Sequence, residues 1–66
     1  MIIKINSEEF ELPEGTTLQE ALDTAAVKPE GIATAVNNCV VPAPMRPTCT
    51  LSDGDEIVII KAFYGG

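Results

Sequence analysis

The sequence predicts an α+β domain: a mixed sheet of four to five strands packed on one helix. Three observations carry this expectation. Met1, Ile3 and Ile5 alternate with Ile2, Lys4 and Asn6, the period of two of a half-buried strand. Leu18, Ala21, Leu22 and Ala25 recur at the spacing of one helix face. The run Ile57 to Ile60 is apolar without alternation, as expected of a central strand paired on both sides. At 66 residues the chain is read as a single domain over 1–66.

The elements follow in order. After the first strand, Asn6-Ser7-Glu8-Glu9 is a turn, and Phe10-Glu11-Leu12 resumes the alternation, which makes a hairpin. Pro13-Glu14-Gly15 ends the second strand. Thr17 with Glu20, or Thr16 with Gln19, fits a capping box at the start of the helix, where hydroxyl and acid or amide satisfy free N–H groups reciprocally. Lys28-Pro29-Glu30-Gly31 is read as its terminator, since proline cannot continue a helix. Ile32 to Val36 and Cys39 to Val41 form a second hairpin about Asn37-Asn38. Pro42, Pro44 and Pro47 then keep the following residues out of regular ladders. Ser52-Asp53-Gly54-Asp55 is a tight turn into the last strand, which is read as running from Ile57 to Tyr64.

A lone helix must bury its Leu18 and Leu22 stripe on one sheet face. With the first and last strands adjacent in the middle, this order is that of the β-grasp, or ubiquitin-like, fold.

Composition narrows the function classes. A hydrophobic fraction of 45% suits a folded domain, and there is no histidine or tryptophan to supply the commonest general base and metal ligand. A core this small leaves no room for a catalytic cleft with its supporting shell, so a self-contained enzyme is not expected. The net charge of -6 argues against nucleic acid and for partners with a basic surface. No stretch approaches the roughly 20 apolar residues of a membrane span, and Met1 to Ile5 lacks the features of a signal peptide. A cytoplasmic location is expected, with Cys39 and Cys49 as thiols. Their spacing is no zinc motif, and the acidic turn at residues 52–55 lacks the spacing of an EF-hand. No metal or bound cofactor is expected.

The end of the chain is its most suggestive feature. Gly65-Gly66 follows directly on the apolar run and on Tyr64. Without a Cβ, glycine adopts extended conformations and approaches a second surface closely. Such a tail can thread a narrow active site and present the Gly66 carboxylate.

Across its whole length the chain resembles the ThiS family of thiamine-biosynthesis sulfur carriers. The resemblance rests on Pro13-Glu14-Gly15-Thr16-Thr17-Leu18, Ala35-Val36-Asn37 with Val41-Pro42, Asp53-Gly54-Asp55, and the Gly65-Gly66 end. The sulfur carrier subunit of molybdopterin synthase is next most similar, in a family that tends to be longer. Tyr64 departs from the pattern, since a small residue before the glycines would thread more easily. The resemblance implies that an E1-like adenylyltransferase uses ATP to activate the Gly66 carboxylate. A persulfide donor charged by a cysteine desulfurase then supplies sulfur, and the resulting thiocarboxylate serves thiazole synthase. It further implies that Gly66 is the modified residue and Gly65 and Tyr64 the tail. Two other uses of the fold stay open: a ubiquitin-like modifier joined to lysines, and a β-grasp module that binds a ligand or RNA.

The face of the last strand that meets a partner is read from its alternation. The small Ala62 suits the side under the helix, which assigns Val58, Ile60 and Ala62 to the core. Ile57, Ile59 and Phe63 are then the expected docking face, with Asp53, Asp55 and Glu56 adding electrostatic steering.

Overall fold

The computed structural model describes residues 1–28 and 30–61. Its first hairpin joins β1 (Ile2–Ile5) to β2 (Glu8–Glu11). The turn is shorter than expected. Asn6 and Ser7 both take positive φ, 49° and 71°, the pattern of a two-residue hairpin turn, so Glu8 and Glu9 join the ladder opposite Ile5 and Lys4. Met1 and Leu12 extend the pairing, each N–H donating to the other's carbonyl at 2.9 Å.

The helix α1 (Leu18–Thr24) starts at the Thr17–Glu20 capping box. The Glu20 N–H donates to Thr17 Oγ1 at 3.3 Å and the Thr17 N–H donates to Glu20 Oε1 at 3.0 Å. Its end comes earlier than the proline-based expectation. Ala25 caps the helix and Ala26 turns left-handed with φ 59°. The Ala26 N–H then donates to the Asp23 carbonyl and the Val27 N–H to that of Leu22, at 3.1 and 2.9 Å. This is the Schellman closure, with alanine where glycine is usual. It completes before residue 28, so Pro29, which lies outside the described residues, does not set the boundary.

The second hairpin, β3 (Ile32–Val36) and β4 (Cys39–Val41), turns at Asn37 and Asn38, both again at positive φ. The proline-rich stretch forms a 3-10 helix over Ala43–Thr48. The last strand, β5 (Glu56–Lys61), lies at the centre of a five-stranded sheet ordered β2-β1-β5-β3-β4. It runs parallel to β1 and antiparallel to β3. This is the β-grasp arrangement. The part of the expected strand at Ala62, Phe63 and Tyr64 lies outside the described residues.

The core sits between α1 and one sheet face: Ile3, Ile5, Leu12, Leu18, Ala21, Leu22, Leu51 and Ile57. Arg46, 2% exposed, reaches into it from the 3-10 helix. Its Nε donates to Thr34 Oγ1 at 3.2 Å and its Nη2 to the Ile32 carbonyl at 2.9 Å. The aliphatic stem packs while the planar guanidinium ties the 3-10 helix to β3.

Candidate functional site

The site grows from the strand that leads to the C-terminus. β5 is held on one flank by β3, in a register that places Ile60 opposite Ala33, Val58 opposite Ala35 and Lys61 opposite Ile32. On the other flank β1 pairs with only its first part, Lys4 opposite Glu56 and Ile5 opposite Ile57. Beyond that point Asn6 takes over. The Ile59 N–H donates to Asn6 Oδ1 at 2.8 Å, and Asn6 Nδ2 lies 3.5 Å from the Ile59 carbonyl.

The register decides which side of β5 is covered, and it reverses the expectation. Ile57 stands beside Ile5 on the helix-packed side and is 1% exposed, and Ile59 is partly buried against the same cluster. Val58 and Ile60 point the other way, 42% and 58% exposed. Ile57 and Ile59 are thus core residues and not a docking face. The alternation was right and its phase wrong. Phase was inferred from Ala62, whereas the parallel pairing of Ile5 with Ile57 sets it. Ala62 and the third expected docking residue, Phe63, lie outside the described residues, as do Tyr64, Gly65 and Gly66.

The uncovered sheet face has a distinct layout. Val58 and Ile60 stand opposite Ala35 and Ala33 of β3, and beyond Ala35 stands Val40 of β4, 75% exposed. Neighbours across a sheet share a face, so these side chains form one apolar patch. Toward β1 and β2 the same face turns polar, with Lys4 between Glu9 and Glu56, and Ile2 beside Glu11. A small domain that leaves an apolar patch with an acidic flank has the layout of a contact surface.

The acidic turn is used structurally. Asp53 Oδ1 accepts the Ile2 N–H and Asp55 Oδ2 accepts that of Ser52, both at 2.7 Å. Asn37 joins them, donating through Nδ2 to Asp55 Oδ1 at 2.9 Å and accepting the Glu56 N–H on Oδ1 at 3.0 Å. These bonds close the entry to β5, so Asp53 and Asp55 stiffen the turn whatever steering their charge adds. Cys39 is an exposed free thiol and Cys49 a partly buried one. Among the described residues no group of three or more His, Cys, Asp or Glu side chains converges to hold a metal ion, and no helix is long and apolar enough to cross a membrane.

Two features escaped the sequence reading, the side-chain bridge from Asn6 and the buried Arg46. Asn6 was legible only as a turn residue. Arg46 had one weak signal, a single cation amid prolines.

Known proteins agree with this architecture. The sulfur carrier protein ThiS of Escherichia coli (strain K12) is 29% identical over 66 residues, covering 100% of both chains. The crystal structure of the thiamine biosynthesis protein (ThiS) from Geobacter metallireducens superposes with a TM-score of 0.83 at 23% identity, over 100% of this chain and 99% of that one. A solution structure of a thiamine biosynthesis protein from the same organism gives 0.75 at 22% identity, over 100% and 88%. At those identities the two structures establish the fold. The sequence profile of the ThiS family matches residues 2–66, and the chain therefore belongs to the ThiS family.

Proposed function

We propose that this chain carries sulfur on the carboxyl group of Gly66. As a ThiS-family protein it is a sulfur carrier of thiamine biosynthesis, a small protein acted upon by other enzymes. The observation that supports Gly66 as the carrying residue is the family match running through residue 66. A carboxylate is inert to sulfur nucleophiles because oxide would have to leave. An adenylyltransferase removes that obstacle: a carboxylate oxygen attacks the α-phosphorus of ATP, pyrophosphate leaves, and an acyl adenylate forms. The terminal sulfur of a persulfide, charged by a cysteine desulfurase, then attacks the acyl carbon and AMP departs. A second thiol cleaves the remaining S–S bond, becoming oxidised to a disulfide and leaving the thiocarboxylate. That sulfur goes to thiazole synthase. ATP is bound by the activating enzyme, and this chain contributes the slim Gly65-Gly66 end and a docking surface. The reactions belong in the cytoplasm.

The docking surface is the apolar patch of Val58, Ile60, Ala33, Ala35 and Val40, and its occupant is the activating enzyme. Two observations support that choice. The patch lies on the strand that immediately precedes residues 62–66, so an enzyme seated there holds the chain five residues from Gly66. The flank of Glu9, Glu11 and Glu56 supplies a negative field that speeds encounter with a basic rim, most strongly at low salt.

Intact mass is the test. The chain is incubated with the adenylyltransferase, ATP and a persulfide donor, alongside a version carrying one residue after Gly66. The expected result is replacement of one oxygen by sulfur at Gly66 in the first and no change in the second, with equal melting temperatures. Sulfur on the capped protein, or isopeptide-linked adducts in place of thiocarboxylate, would overturn the reading.

A further inference from the structure

We infer that Asn6 is a positioning residue for sulfur loading: its side chain takes the place of a missing strand neighbour and thereby fixes β5 at Ile59, shortly before the carrying end of the chain. The inference rests on the carrier function proposed above.

In a parallel ladder one residue bonds to two alternate residues of its neighbour, donating its N–H to one and accepting an N–H from the next on its carbonyl. Along β1 and β5 this begins with the Lys4 N–H donating to the Asp55 carbonyl and the Asn6 N–H donating to that of Ile57, both at 2.9 Å. The following rung requires an acceptor for the Ile59 N–H. At Asn6, however, the backbone turns with φ 49° to start the hairpin, so β1 cannot supply the rung. The Asn6 side-chain carbonyl supplies it instead, accepting that N–H at 2.8 Å. One residue thus holds β5 at both Ile57 and Ile59, across 53 positions of sequence for the latter. The second contact, from Asn6 Nδ2 to the Ile59 carbonyl at 3.5 Å, is at the limit of hydrogen bonding and adds little.

Residue type and location both follow. Asparagine is among the few residues that tolerate a left-handed backbone and also carry a carbonyl at the right reach. Ile59 is two positions before Lys61, the last described residue of β5. On its other flank β5 is already paired with β3, where Thr34 stands opposite Ile59. The Asn6 bond makes the support of β5 two-sided at Ile59. Support of this kind acts on the reaction through orientation: misplacing a reacting group by about 1 Å can cost on the order of 100-fold in rate.

Two variants of the full chain test this. Asn6→Gly keeps the positive φ without strain and deletes the side chain, whereas Asn6→Asp keeps an acceptor for the Ile59 N–H. Single-turnover adenylation, equilibrium binding to the adenylyltransferase without ATP, melting, and amide exchange at Ile59 are measured for each. For Asn6→Gly we expect faster exchange at Ile59, unchanged Kd, and an adenylation rate about tenfold lower. Asn6→Asp should restore most of the rate and the slow exchange. Wild-type turnover by Asn6→Gly, or a deficit that lies wholly in Kd or tracks the unfolded fraction, would overturn the inference and leave the carrier function intact. A wild-type chain that is never adenylated would overturn both.

Discussion

A pair of aspartate substitutions in β5, at Ile57 and Ile60 on opposite faces of the strand, separates its core side from its docking side. Ile57 is 1% exposed, packed beneath α1 beside Ile5. Ile57→Asp removes an apolar side chain whose full burial contributes about 1.5–3 kcal/mol. It also buries a carboxylate in the apolar cluster under the helix, at a further cost of about 1–3 kcal/mol or more. A domain of this size has roughly 3–10 kcal/mol in total, so this variant should lose most of its stability and melt far below the wild type. Ile60 is 58% exposed on the opposite face. Ile60→Asp should therefore shift stability by no more than about 1 kcal/mol. Docking can bury only the exposed part of Ile60, worth about 1–2 kcal/mol, and leaving an aspartate desolvated at the interface adds about 1 kcal/mol or more. The sum, about 2–3 kcal/mol, corresponds to a Kd raised roughly 30- to 140-fold. Melting followed by circular dichroism and titration against the adenylyltransferase measure the two effects. Normal binding by a folded Ile60→Asp protein would remove the apolar patch as the docking surface. A cooperative, unshifted melt for Ile57→Asp would refute the assignment of the core.

Ala26 offers a test of the helix closure. It is solvent-exposed with φ 59°, a conformation that costs a residue with a Cβ about 1–2 kcal/mol, partly offset by glycine's greater freedom when unfolded. Ala26→Gly should stabilise the fold by about 0.5–1 kcal/mol, a rise in Tm of about 2–8 °C, and a lower Tm would show that the Schellman geometry is misjudged. Replacing both thiols, Cys39→Ser with Cys49→Ala, should leave thiocarboxylate formation intact and cost about 1 kcal/mol at the half-buried Cys49; a folded but inactive double variant would move the sulfur chemistry from Gly66 to a thiol.

What the chain determines by itself are the features settled within a few residues of one another. Thr17 and Glu20 are three apart and cap the helix they begin, Asn37-Asn38 closes its hairpin through paired positive φ, and the unbroken apolar run at Ile57 to Ile60 places β5 between two neighbours. The order of these elements specified a β-grasp sheet, because a single helix stripe has one sheet face to cover. The first hairpin and the end of the helix were misjudged by a few residues. In both, a non-glycine residue adopts a left-handed backbone, a cost that is offset by bonds formed around it and that composition does not reveal. Only the tertiary structure decided which side of β5 is wet. Alternation defines two faces but not which one is buried, and that phase comes from the register of Ile57 against Ile5, a pairing of strands from opposite ends of the chain. Separation along the chain also hid Asn6 and Arg46, whose side chains act on Ile59, 53 positions away, and on Ile32 and Thr34, 14 and 12 positions away. A hydrogen bond made across the fold leaves no trace in local spacing, since its donor and acceptor meet only when the sheet has closed.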